Sequence, residues 1–150
     1  MTALTGHRVE SIRVELLTRT EQSLGDLDGI EGGKVSWNAN ADLPGSGTLS
    51  LTELGQDINV SSDRVRIWWS VEGHGEWPLG VWLLAAPTVD YTEDGTSREL
   101  SLIDKLTIPR DDCLTETLQL PAGTNLVSAM VAQVQATGET RIAATASDKT

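Results

Sequence analysis

Apolar and polar residues alternate along much of this chain. Ile12, Val14 and Leu16 interleave with Arg13 and Glu15, so Val9 to Leu17 is expected to form a half-buried strand, whose side chains repeat every two residues. A polar, glycine-containing stretch from Thr18 to Gly33 follows. Val35, Trp37 and Ala39 then alternate with Ser36 and Asn38. After a turn signal at Leu43-Pro44-Gly45-Ser46-Gly47, the segment Thr48 to Leu54 is expected to return against that strand. The strongest pattern spans Arg64 to Ala85. Val65, Ile67, Trp69 and Val71 precede Gly73-His74-Gly75, and Trp77, Leu79, Val81, Leu83 and Ala85 follow it, all at odd positions. A hairpin pairing Val71 with Trp77, Trp69 with Leu79, Ile67 with Val81 and Val65 with Leu83 places every one of them on one face.

Pro87 marks the end of that strand. Asp94-Gly95 between Thr88 to Thr92 and Ser97 to Asp104 is a hairpin signal, because glycine supplies the positive φ of a tight turn. Between Pro109 and Pro121, Leu114, Leu118 and Leu120 suggest one more strand. Asn125 to Thr137 reads as an amphipathic helix: Val127, Met130, Val131 and Val134 follow the i, i+3, i+4, i+7 spacing, with Thr124 as N-cap and Gly138 just past the end. Ile142 is expected to start a short last strand. The fold expected from the pattern is mainly β, an antiparallel barrel or sandwich with one packed α-helix near Asn125-Thr137, forming a single domain over residues 1–150.

The hairpin has a second face. Arg64, Arg66, Trp68 and Trp82 occupy even positions, and the expected register sets Arg66 over Trp82 as a cation–π pair and Trp68 over Gly80. Core on the odd face leaves these four residues as a candidate subunit interface. Trp68 and Trp82 also suit a stacking platform for sugars or bases, or burial against a second sheet or a neighbouring subunit.

Composition narrows the function classes. The 22 acids against 11 bases give a formal net charge of −11, which opposes the counterion exchange on which DNA binding depends. The acids are dispersed, as on a solvated surface or on a wall that DNA must pass without sticking. Five Trp, one Tyr and no Phe concentrate the aromatic surface in tryptophan. No signal peptide and no apolar run of membrane-span length is visible, so a protein made in a cytoplasm is expected.

Candidate chemistry is sparse. His7 lies near the N-terminus and His74 between two glycines, in a loop expected to face solvent. Cys113 follows Asp111-Asp112, which favour the thiol over the thiolate. Asp26, Asp28 and Glu31 have the flavour of a calcium loop but lack the remaining spaced ligands, and turn chemistry accounts for Asp and Gly there. Gly29, Gly32 and Gly33 lack the strand and helix of a phosphate loop. No catalytic residue, cofactor or metal is therefore expected, and the chain is read as a non-enzyme.

The order of segments resembles the N-terminal domain of tail-tip or baseplate hub proteins (minor tail proteins) of long-tailed bacteriophages. The resemblance rests on six pieces in sequence: Gly33-Lys34-Val35-Ser36-Trp37-Asn38, Leu49-Ser50-Leu51, Asp63-Arg64-Val65-Arg66-Ile67, Leu79-Gly80-Val81-Trp82-Leu83 running to Pro87, Leu102-Ile103-Asp104, and Pro121-Ala122-Gly123-Thr124-Asn125-Leu126. It covers most of Val35 to Thr137 and says nothing of Thr18 to Gly33. It implies a β-barrel related to the tail-tube fold, assembled in a ring, with a trimer favoured, around a channel through which DNA passes without specific binding. The implied partners are further copies of the chain and neighbouring tail-tube, distal-tail and spike or fibre proteins. The implied location is the virion tail tip, after assembly in the host cytoplasm. Hub chains are commonly longer, so the resemblance also implies that Thr150 ends a fragment. The alternative reading is a Trp-dependent β-module that binds carbohydrate or a receptor.

Overall fold

The computed structural model describes residues 8–52, 56–92, 95–112 and 117–149. The chain divides into two compact units, Met1–Lys105 and Leu106–Thr150. Seven strands make up the first: β1 (Glu10–Leu17), β2 (Ser23–Asp26), β3 (Ile30–Trp37), β4 (Gly45–Thr52), β5 (Arg64–Val71), β6 (Gly75–Thr92) and β7 (Gly95–Asp104). They form one sheet in the order β2-β1-β5-β6-β7-β4-β3, with every neighbouring pair antiparallel.

The two edge strands, β2 and β3, are consecutive in the chain, separated only by Leu27, Asp28 and Gly29. From Asp26 to Ile30 the backbone spans at most ~14 Å. A flat sheet of seven strands would hold its edges ~29 Å apart. The sheet must therefore curl on itself, and the residues of its concave face confirm this. Val14, Leu16, Leu27, Leu49, Leu51, Val65, Ile67, Trp82, Leu84, Leu100 and Leu102, drawn from opposite ends of the strand order, pack in a single cluster. The fold is thus mainly β and barrel-like, with a side-chain-filled interior.

The strand pattern places most elements, with local corrections. β2 and the start of β3 lie in the stretch that carries no alternation, Ser-Leu-Gly-Asp in β2 being exposed throughout. β6 runs through Pro87 without ending. A bulge between Ala85 and Thr88, with Ala86 at φ 45°, absorbs the proline.

The expected β5–β6 register is replaced by another. Val71 pairs with Gly75 and Trp69 with Trp77, a slip of two residues that keeps side chains on their faces. Leu79 is then an extra residue between Pro78, opposite Trp68, and Gly80, opposite Ile67. This bulge exchanges the faces of everything beyond it, so Val65 faces Trp82 rather than Leu83. Gly80 sits at φ 129°, a backbone conformation closed to residues with a side chain. Trp82 consequently points into the core at 2% exposure, its ring against Gly45, where a Cβ would come within 2.9 Å of it.

At one end of the barrel the β1–β2 turn folds over Arg64. Glu21, held at φ 61°, accepts hydrogen bonds from Arg64 Nη1 at 3.3 Å and from Lys105 Nζ. Arg64 and Glu21 are both buried. Each buried charge needs the other, since removing one partner of such a pair costs ~3–5 kcal/mol.

The second unit holds α1 (Thr107–Asp111) and α2 (Leu126–Ala136). The strand expected between the prolines is instead, at its start, α1, in which Pro109 occupies the first turn, where a missing N–H costs no helical bond. Leu118 and Leu120 are exposed and outside any strand, and Cys113 and Leu114 lie outside the described residues. α2 falls where the spacing predicts it, but its cap is Asn125, whose side chain accepts from Ser128 N at 3.0 Å, while Thr124 Oγ1 donates to the Pro121 carbonyl. Gly138 follows the helix at φ 93°. Met130 faces solvent, and Val127, Val131 and Val134 are half-buried. Residues 141–149 form no strand, contrary to the expectation at Ile142. No helix among the described residues is long and apolar enough to cross a membrane.

Because Trp82 fills the core, Trp82→Ala is expected to lower unfolding stability by ~3–5 kcal/mol. Trp77→Ala, at a side chain 41% exposed, should cost under ~1.5 kcal/mol. Urea unfolding of the two variants measures this, and equal losses would disprove the placement of Trp82.

Candidate functional site

The four residues expected to form a subunit surface do not stay together. Trp82 is core and Arg64 is enclosed beneath the β1–β2 turn, so neither can meet a neighbour. The physical reasons are the bulge at Leu79 in the first case and the Glu21 lock in the second. Arg66 and Trp68 remain on the outer face, joined by residues of β1. The β1–β5 register sets Arg13 opposite Trp68 and Glu15 opposite Arg66. The Arg13 and Arg66 guanidinium carbons lie 5.2 and 5.6 Å from the centre of the Trp68 ring, so the expected Arg66–Trp82 pair is replaced by a two-arginine stack on Trp68.

This outer ladder is electrostatically closed. Glu15 accepts from Trp68 Nε1 at 2.9 Å and from Arg66 Nη1 at 3.3 Å. Arg13 grips Glu76 with two nitrogens, at 3.0 and 2.7 Å, and Asp26 with a third at 2.7 Å. The hydrogen bonds that Arg13 donates to Glu76, then to Asp26, hold its guanidinium above its usual range. Hydrogen bonding from Ser23, then from Trp68, with the charges of Arg66 and Arg13 adding, holds the Glu15 carboxyl below its ordinary value against the cost of burial. Every acid here already has a partner, so the ladder is an internally paired platform.

The surface that sequence reasoning missed lies on the opposite face. Ile12, Trp69 and Trp77 are in register across β1, β5 and β6. Trp69 and Trp77 belong to the odd set expected to be core, and Ile12 to the apolar positions of the first expected strand. Yet Ile12 is 57% exposed, Trp77 is also exposed, and Trp69 is only half-buried. The hairpin carries its apolar face beyond the closed part of the barrel. Trp69 and Trp77 pack with ring centres 5.4 Å apart, and Trp69 Nε1 donates to Glu10 at 3.1 Å. That bond, and a second from Arg8, lower the Glu10 pKa. The alternation could show that these residues share a face, not where the barrel stops covering it.

Beside this row the barrel is split. β2 pairs with β1 only at Glu15, Leu16 and Leu17, with one further bond from Leu27 N to the Val14 carbonyl at 2.8 Å. The chain then leaves β1 to pair β3 with β4. Between the first half of β1 and β3 lies an aliphatic cavity of about 290 Å³, lined by Ile12, Val14, Ile30, Val35, Ile67 and Leu79 among others, with Lys34 its one charged lining residue.

The other candidates come apart. His74 is exposed in the β5–β6 turn, its N–H bonded to the Val71 carbonyl, and His7 lies outside the described residues. Asp26 is held by Arg13 and Glu31 accepts from Thr52 Oγ1. No cluster of three or more His, Cys, Asp and Glu that could hold a metal occurs among the described residues.

Glu15 gives a pH dependence with a definite sign. Its folded pKa lies below the unfolded one, so its stabilisation is complete above the ordinary carboxylate value of 4.5 and is lost as pH falls through the folded pKa. Glu15→Gln is expected to cost ~1–3 kcal/mol at pH 7 through loss of charged hydrogen bonds, and clearly less at pH 3. Urea midpoints at the two pH values read this, and an equal loss at both would refute the role given to the Glu15 charge.

Comparison of the sequence with protein-family models and with curated proteins finds no match.

Proposed function

We propose that this chain is a non-enzymatic structural subunit of a tail-tip or baseplate hub ring of a long-tailed bacteriophage. The observation that carries the reading is a curled antiparallel sheet that leaves an apolar face uncovered. Its interior is filled with side chains and cannot be a channel. Its row Ile12–Trp69–Trp77 and the adjoining split are surface that water contacts unfavourably and that another chain would cover. A ring built from such contacts encloses its channel between subunits. The net charge of −11 supports passage of DNA along such a channel without adhesion. In this reading the partners are further copies of the chain, with tail-tube, distal-tail and spike or fibre proteins above and below, and the location is the virion.

One observation favours a second reading. Two packed tryptophans, one of them exposed, can stack on a sugar ring. A carbohydrate-binding module of this kind would be monomeric, and its tryptophan fluorescence would respond to glycans.

Sedimentation velocity from about 1 to 100 µM separates the two. The ring reading predicts a discrete species at an integer multiple of the chain mass that grows with concentration. A monomer throughout, with glycan-dependent quenching lost in Trp77→Ala, would replace it with the second reading.

A further inference from the structure

We propose that Asp90, helped by Pro87, keeps the free edge of the β6 extension, residues 88–91, from pairing with the same edge of a second copy. The inference does not rest on the ring reading and concerns a surface that reading does not use.

The ladder fixes which backbone groups this edge offers. The pairing of β5 with β6 stops at Arg64 opposite Leu83, whereas β6 continues to Thr92 with β7 on its other side. Thr52 N donates to the Gly29 carbonyl, so Thr52 turns its backbone towards the β3 side and its neighbour Leu51 turns towards β7. Leu51 faces Arg98 across that ladder, so Arg98 bonds to β4, and Ser97 and Glu99 on either side of it bond to β6. Asp90 and Thr88, opposite Ser97 and Glu99, complete those bonds. The N–H and C=O groups of Val89 and Tyr91 therefore point to the free edge, where no strand among the described residues meets them.

Apart from one residue, this edge is complementary to itself. A two-fold axis through Asp90 sets Val89 of each copy opposite Tyr91 of the other, and each of these pairs can exchange two hydrogen bonds. Both pairs also bring a β-branched side chain against an aromatic one, a favourable cross-strand contact, and Tyr91 is 83% exposed. The same axis places the two Asp90 residues directly opposite in a non-hydrogen-bonded pair, the closer arrangement, with Cα atoms ~4.5 Å apart. Like charges so placed repel. In its own ladder Asp90 faces Ser97, which brings no charge to neutralise it. Moving the axis to Val89 separates the acids but puts Pro87 opposite Tyr91, and proline has no N–H to donate. Moving it to Tyr91 leaves only residues 90–92 in register, since β6 ends at Thr92. An edge strand invites pairing with another chain unless a charge, a proline or a bulge prevents it. Ala85 to Asp90 carries all three.

Charge reversal tests this. Asp90 is exposed, so replacing it leaves the core intact. Wild type alone and Asp90→Lys alone each set like charges together, whereas an equimolar mixture sets opposite charges together. At about 1 mM, a concentration that populates weak contacts, the Val89 and Tyr91 amides are expected to exchange about tenfold more slowly in the mixture than in either protein alone. Asp90→Thr should show the same slowing without a partner, because it removes the repulsion. The Thr88 amide, bonded to β7, reports that the hairpin is intact; if Asp90→Lys loses its protection, Asp90→Thr replaces the mixture as the deciding sample. Slow exchange of Val89 and Tyr91 in the wild type alone, or unchanged exchange in the deciding sample, overturns the proposal.

Discussion

Three residues, Leu27 to Gly29, carry the chain from one edge of its sheet to the other, and most of the structure follows from that short connection. A link that spans at most ~14 Å closes a sheet that would be about twice as wide if flat. Closure turns one face of every strand inward and makes a core from residues distant in sequence, Val14 and Leu16 against Leu49, Leu51, Leu100 and Leu102. The same link limits the closure. β2 stays with β1 for three residues before β3 must join β4, so among the described residues the seam is sealed at one end and open at the other. The aliphatic split is thus a consequence of topology, and it lies next to the exposed row of Ile12, Trp69 and Trp77.

A second constraint sets which tryptophans are available. The extra residue Leu79 and the positive φ of Gly80 rotate the return strand by one position, and Trp82 enters the core against Gly45. Trp68 is fixed outside by two guanidinium groups and by Glu15. Trp69 and Trp77, at the hairpin end where the barrel is open, combine apolar surface with solvent access, as does Trp37 on β3, which is exposed beside Trp82.

Much of this was legible in the sequence. Period-2 alternation located β1, β5, the first part of β6 and β7, and the spacing of Val127, Val131 and Val134 located α2. What escaped has physical causes. β2 is exposed on both faces, so it shows no alternation. β6 survives Pro87 because a bulge removes the proline from the ladder. The one-residue shift at Leu79 depends on the backbone of a single glycine, and it moved Trp82 from the expected surface to the interior. Arg64 followed the outward pattern but is covered by a turn whose Glu21 nothing in the local sequence marks as its partner. The candidate surface therefore changed from Arg64, Arg66, Trp68 and Trp82 to the opposite face of the same hairpin and the seam beside it.

The central claim is that the open seam is an association surface. Amide hydrogen exchange of residues 10–13 and 32–35, followed at low and high protein concentration, tests it most directly. Protection of both segments should rise together as the chain associates, while the paired amides of β5 stay unchanged. Equal exchange of the two edges at every concentration, in a sample shown to be associated, would contradict the account.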